Sequence, residues 1–223
     1  MASRVVRAYK TAALEAVRVL ARVPPANLLA RQQIDRFLRF REYRNEGVDI
    51  TSNRTLLVNQ QVERALVRRW RERLLAPGGS GLRVREAVDP VLNRWLGRAH
   101  GELTFYLTQI LTGHGSFGDY LFRIRKADTP ACPHCPSAEN SAQHTLEECP
   151  AWAQERAAVR AHSGDNLSLS AVVSAMLRDA GCWRAIVAFC GTVKEDAELA
   201  RQGQPASRRR RRSPRLAGDN ESE

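Results

Sequence analysis

The chain has 223 residues, 43% of them hydrophobic, enough for one large or two small domains with a real core. No apolar run approaches the roughly eighteen residues needed to span a bilayer, no secretory signal is visible, and no membrane partner is expected. A formal charge of +11 and a pI of about 10.3 favour a polyanionic partner.

The basic residues are three lysines and 32 arginines. Arginine forks phosphate and stacks on bases, which suits nucleic acid, although a GC-rich gene also encodes an excess of Arg and Ala. Five cysteines are an odd number for a disulfide framework, so a reducing compartment is expected.

From Ser3 to Ala21 the apolar residues Val6, Tyr9, Ala13, Val17 and Leu20 recur at helical spacing, and Pro24-Pro25 stops the pattern. A second helix is predicted from about Ala26 to Asn45, with Leu29, Ile34, Phe37, Leu38 and Phe40 inside and Gly47 at its end. Residues 55–75 read as a third, with Val58, Val62, Leu66, Trp70 and Leu74 in line. Its arginines, Arg64, Arg68, Arg69, Arg71 and Arg73, form either a solvated, salt-bridged face or a phosphate-tracking one. Residues 1–76 thus form a helical segment, and 77–94, opening on Pro77-Gly78-Gly79-Ser80-Gly81, are expected to be a linker.

A helical domain is expected over residues 95–200. Trp95, Leu103, Phe105, Tyr106, Leu107, Ile110 and Leu111 lead to Thr112-Gly113-His114-Gly115-Ser116-Phe117-Gly118. That glycine spacing matches neither a Walker loop nor a dinucleotide fingerprint, so the stretch reads as a tight connection into a helix at Asp119–Lys126.

Residues 130–150 carry the sharpest pattern. Cys132, Cys135, His144 and Cys149 form C-x2-C-x8-H-x4-C, three thiolates and one imidazole, a closed tetrahedral shell for structural zinc. The segment has almost nothing apolar except Leu146, and a bound metal is the usual substitute for a core in so short a piece. Zinc binding in comparable peptides is worth roughly 10–16 kcal/mol. Pro130 and Pro133 suit the entering turn, Ala142–Glu148 a short helix carrying His144, and Pro150 its end. His134, between two cysteines, is assigned to solvent or a phosphate. Four protein ligands leave no open position for hydrolytic chemistry.

Arg123, Arg125 and Lys126 lead into this box, and Trp152, Arg156 and Arg160 leave it on a helix from Ala151 to Ala161. Phosphate contacts by the cations are expected, and Trp152 either stacks an unpaired base or caps the zinc core. Two further apolar helices, Ser168–Asp179 and Cys182–Ala200, break at Gly181, with Cys182 and Cys190 as buried thiols. Residues 201–223 read as a disordered tail. Its run Arg208, Arg209, Arg210, Arg211, Arg212 serves nuclear import or non-specific phosphate binding.

The run Leu107–Phe117, then Tyr120-Leu121, then the Cys/His box with His144-Thr145-Leu146-Glu147-Glu148-Cys149-Pro150, resembles the C-terminal region of Pol polyproteins from non-LTR retrotransposons, in particular type-1 elements. The opening stretch, Arg7-Ala8-Tyr9-Lys10-Thr11 through Pro24-Pro25, resembles the segment after the polymerase palm and thumb of those proteins. The resemblance covers roughly residues 3–200. It implies a parent with an N-terminal endonuclease, a central reverse transcriptase (RNA-directed DNA polymerase) and this tail, acting in target-primed retrotransposition. This chain has no Asp-Asp pair to hold the two metal ions of such a polymerase, and no counterpart of the endonuclease acids. It is expected to start after the polymerase active site.

The sequence therefore predicts a mainly α protein, helical segments around a small CCHC zinc knuckle with a disordered basic tail. It is expected to bind RNA or single-stranded DNA in the nucleus. The alternative is a zinc-stabilised protein-interaction module packing on the parent's polymerase region. An independent small enzyme lacks any acid–base or nucleophile constellation.

Overall fold

The computed structural model describes residues 2–202, with side chains described as far as Glu195. The arginine run Arg208–Arg212 lies outside the described residues. Among these the secondary structure is helical, with no strand, and no helix is long and apolar enough to cross a membrane.

Two helices, α1 (Ala2–Val5) and α2 (Leu14–Ala21), stand where the periodicity predicts one. The chain leaves the helix at Arg7, whose φ of 53° is left-handed. The Val6 carbonyl is taken by the buried Thr108 hydroxyl at 2.6 Å, so a contact distant in sequence overrides local propensity. Tyr9 packs beside Phe105 at 5.6 Å between ring centroids.

α3 (Ala26–Asn45) and α4 (Ser52–Leu75) form a helical hairpin. Gly47, with φ of 67°, lets Val48 N–H reach back to the Tyr43 carbonyl at 2.8 Å and close α3. Thr51 caps α4 by accepting a 3.3 Å bond from the Arg54 N–H. α4 buries the predicted stripe, Val58 through Leu74. α3 does not bury its own: Leu29, Ile34 and Phe37 are 38%, 48% and 56% exposed, and its one fully buried residue is Gln32. The reason is geometric. α3 packs chiefly on α4, and the pair meets the main core at one end, through Val67, Trp70 and Leu74 of α4 and Leu28 of α3, so the outer face of α3 has no covering layer. Asp35 accepts from Arg69 at 2.6 Å and Glu63 from Gln32 at 2.7 Å across the hairpin.

The expected linker at 77–94 ends at Gly81. Beyond it α5 (Leu82–Val88), a 3-10 turn (Asp89–Val91) and α6 (Leu92–Gly97) insert Val84, Ala87, Val88, Leu92 and Trp95 into the core. Pro77–Gly81 is a turn closed by Arg85, whose buried guanidinium donates to the carbonyls of Leu74, Ala76 and Gly79. These are the orphan acceptors at and just beyond the end of α4.

α7 (Phe105–Thr112) starts at a Thr104 cap and ends at Gly113, with α8 (Gly118–Arg123) following directly. After the knuckle come α9 (Ala153–Ser163), α10 (Leu169–Arg178) and α11 (Ala180–Gln202). The last break falls at Asp179 rather than Gly181. Its carboxylate accepts the N–H groups of Gly181 and Cys182 at 2.8 and 2.9 Å and so caps α11.

One hydrophobic cluster runs from Ala2 to Val193 and joins the segments on both sides of the Pro77–Gly81 turn. At its centre Trp95 and Trp183 stack at 5.9 Å, and Trp95 Nε1 donates to the Val19 carbonyl at 2.8 Å. Cys182 and Cys190 are fully buried free thiols, as the sequence predicts, and burial pushes Cys190 up to about 12.

Candidate metal centre

The four residues of the C-x2-C-x8-H-x4-C pattern converge. One ligand atom from each of Cys132, Cys135, His144 and Cys149 lies within 4.8 Å of all the others. The Cys132 and Cys149 sulfurs are 3.9 Å apart, and His144 Nε2 is 3.3 Å from Cys135 Sγ. Metal–sulfur bonds of about 2.3 Å set at tetrahedral angles give a sulfur–sulfur edge of about 3.8 Å. The Cys132–Cys149 pair stands at such an edge, and the whole set needs at most about 1 Å of closure to form the polyhedron.

The backbone explains the convergence. Asn140 N–H bonds to the Pro130 carbonyl at 2.8 Å and Cys132 N–H to the Ser137 carbonyl at 3.0 Å, folding the first cysteine pair into a tight loop. Each sulfur also accepts the N–H two residues on, Cys132 from His134, Cys135 from Ser137 and Cys149 from Ala151. Such bonds favour thiolate. The Ser137 N–H, with the neighbouring ligand groups, brings Cys135 down to about 7. At Cys149 burial outweighs its N–H and pushes the thiol up to about 12, and burial raises Cys132 as well. The helix predicted at Ala142–Glu148 forms, and over His144–Glu148 it widens to a π turn, closed by Cys149 N–H to the His144 carbonyl at 2.8 Å. That one extra residue per turn carries His144 and Cys149 to the same pole.

His144 points Nε2 into the cluster and Nδ1 toward Glu148 Oε2 at 3.3 Å. A carboxylate on the far ring nitrogen fixes the tautomer that leaves Nε2 as a ligand. The i, i+4 spacing of His144 and Glu148 would have revealed this partner in the sequence.

Two residues expected to touch nucleic acid build the knuckle instead. Trp152 is 4% exposed, its ring set edge-on against His134 at 4.9 Å, so it caps the centre and offers no face to a base. The same contact takes His134 from its expected place in solvent to a half-buried one. Arg156 is 3% exposed and donates to the carbonyls of Thr145, at 3.2 Å, and Cys149. Its guanidinium therefore ties the start and end of the π turn together, and burial lowers its pKa. No local pattern marks an arginine as internal, and sequence reasoning missed this role. Arg123, Arg125, Lys126 and Arg160 are exposed, Arg123 at the end of α8, Arg125 and Lys126 in the turn beyond it, and Arg160 on α9.

The knuckle is built into the bundle. Leu146 and Cys149 are fully buried members of the main core. Asp119 N–H donates to the Asn140 carbonyl at 3.1 Å, and a Cβ at Gly118 would meet the Pro130 carbonyl oxygen at 2.5 Å, so only glycine allows this approach. Arg83 of α5 reaches Gln143 at 3.0 Å, and Gln143 donates in turn to the Leu167 carbonyl at 3.1 Å. The arrangement can hold one metal ion with four protein ligands.

Comparison with known proteins agrees with the resemblance read from the sequence. The chain is 29% identical over 163 residues to a retrovirus-related Pol polyprotein from type-1 retrotransposable element R1 of Nasonia vitripennis, an alignment covering 68% of this chain and 39% of the relative. The chain thus spans about two fifths of that polyprotein's length. No family model and no solved structure matches.

Proposed function

We propose that the chain is a zinc-stabilised, nucleic-acid-binding portion of a retrotransposon Pol-type protein. The observation that carries this reading is a preorganised Cys3His shell set in a chain of charge +11 that is similar to an R1 Pol polyprotein. Thiolate-rich tetrahedral sites select zinc over harder cations. Binding rests on Arg123, Arg125, Lys126 and Arg160 around the knuckle, joined by Arg208–Arg212 of the tail. Trp152 and Arg156 act from inside. RNA-directed DNA polymerase and endonuclease chemistry in target-primed retrotransposition belongs to the parent, since this chain has no paired aspartates for a two-metal transfer. The nucleus is the compartment in which such a protein meets its target.

The internal positions of Trp152 and Arg156 favour one second reading, a knuckle that is purely structural within a protein-interaction module. Fluorescence anisotropy of the zinc-loaded chain with labelled RNA and single-stranded DNA, across a salt series, separates the two. Phosphate binding loses affinity with a log–log slope of roughly 0.7 per contact on single strands, whereas an apolar interface has little salt dependence. A zinc-loaded chain lacking residues 201–223 that fails to bind at low salt would establish the interaction module.

A further inference from the structure

The arginines of the α3–α4 hairpin fall into two groups. Arg31 and Arg69 share Asp35, Arg39 pairs with Glu42, Arg68 with Glu72, Arg71 with Asp89 and Arg73 with Glu15. Among the described residues Arg36, Arg41, Arg44, Arg54 and Arg64 have no carboxylate within ion-pair distance, and Arg54 donates to the Asp49 carbonyl at 2.6 Å at the start of α4. Arg36, Arg41 and Arg44 surround Phe37, the aromatic residue that α3 leaves uncovered, and Arg64 stands across Arg36 on α4. A shallow groove of about 340 Å³ is lined by Arg36, Phe37, Phe40, Arg44 and Ile50. Across Arg36 it adjoins a second groove, of about 530 Å³, where Arg36 and Arg64 stand with Asn59, Gln60 and Glu63, the last already engaged by Gln32. Phe37 is 56% exposed, and the Arg41 guanidinium lies 5.9 Å from its ring centroid. Arg36 Nε is shielded from solvent and has no hydrogen-bond partner.

An aromatic ring in water beside three guanidinium groups with no ion-pair partner is what a single strand requires: a face for an unpaired base and cations for the flanking phosphates. An apolar partner would instead desolvate these charges without return, and a duplex presents phosphates but no free base face. We propose that the outer face of α3, centred on Phe37 with Arg36, Arg41 and Arg44 and extended by Arg64 of α4, is a second nucleic-acid site that binds single strands by base stacking. It is separate from the knuckle and does not rest on the knuckle surface binding anything.

The test uses the zinc-loaded full chain and two probes, a labelled oligo(dT) of about 20 nucleotides and a hairpin duplex of similar length. F37A should weaken oligo(dT) binding about tenfold, the lower range of one stacked base, and leave duplex affinity within about twofold. R36A/R44A should weaken both and reduce the salt slope by roughly 1.4 on oligo(dT) and roughly 1.8 on the duplex. F37W provides a readout independent of truncation. The native tryptophans Trp70, Trp95, Trp152 and Trp183 are all buried, so a solvent-exposed indole emits apart from them and should be quenched by oligo(dT). Unchanged oligo(dT) affinity in F37A with an unquenched F37W overturns the site, and binding by the parent chain would then rest on the knuckle or tail. A chain that binds neither probe overturns both readings. Self-association abolished by F37A, without an effect on oligo(dT), would make the face a contact between copies and refute the proposal.

Discussion

Arg156→Met removes the guanidinium that ties the π turn together while keeping an apolar stem of similar girth. Two charge-assisted hydrogen bonds, to the Thr145 and Cys149 carbonyls, are lost. Each is worth about 1.5–3 kcal/mol, and both carbonyls are left in a pocket where the arginine is only 3% exposed. Taking the lower value for each gives about 3 kcal/mol. Because metal affinity and folding of the loop are one equilibrium, that cost should emerge as a loss of about 100-fold in zinc affinity. Competition with a chromophoric chelator reads the affinity, and thermal unfolding with and without zinc reads the coupling. Arg156→Lys, which keeps one charged donor, should fall between. A methionine variant within about twofold of the parent in zinc affinity, with an unchanged melting temperature, would refute the role of the guanidinium as a tie.

Glu148→Gln weakens the partner of His144 Nδ1 and should lower zinc affinity about tenfold, the lower end for such partners because Glu148 is largely exposed. In the metal-free chain, thiol ionisation should be ordered. Cys135, held down at about 7 mainly by the Ser137 N–H, is thiolate from about pH 7 upward, while Cys132 and Cys149 are raised by burial. Its depressed pKa contributes to folded stability at high pH and is lost as pH falls through about 7, whereas the contribution of Cys149 is lost as pH rises toward about 12. Iodoacetamide at pH 7.5 should therefore label Cys135 first, and mass spectrometry showing Cys149 first would contradict the ordering. Gly101→Ala should destabilise the bundle by about 3 kcal/mol, since the residue has φ of 89° and a Cβ there would overlap the Trp183 ring. Denaturant titration checks this, and a cost under about 0.5 kcal/mol would mean the ring moves freely.

How much of this was legible in the sequence depended on whether the determinant was local. The metal ligands were, because a chelating loop encodes its geometry in spacing, and the same holds for the α4 stripe and for Gly47. Burial that depends on neighbours was not. Phe37 and Ile34 carry a helical apolar period, yet nothing in α3 says that a covering layer is missing. Arg85 and Arg156 look like surface arginines in any window, and only the fold shows that each satisfies the carbonyls of a chain end. Residues 77–94 look like a linker because the glycines and proline of Pro77–Gly81 mark a change of direction. They cannot say whether the chain then leaves the core or, as α5 does, re-enters it.

That re-entry bears on how the metal acts. A knuckle on a free tether would fold alone, and losing its zinc would leave the helices untouched. Here Cys132, Ala142, Leu146, Cys149 and Trp152 belong to the same hydrophobic cluster as Trp95 and Trp183, and Arg83 bridges α5 to Gln143 beside His144. Metal removal should therefore loosen the packing of Leu146 and Trp152 against the bundle, so zinc binding stabilises the bundle as well as the loop. The Trp70 and Leu74 end of α4 inserts into that core too, which holds the hairpin and the knuckle in a fixed relation. A strand lying along both surfaces would meet a spacing set by packing rather than by a flexible linker, and the second contact would be made at high effective concentration. Chelation should then weaken binding at the hairpin as well as at the knuckle, even though no metal ligand lies on α3 or α4.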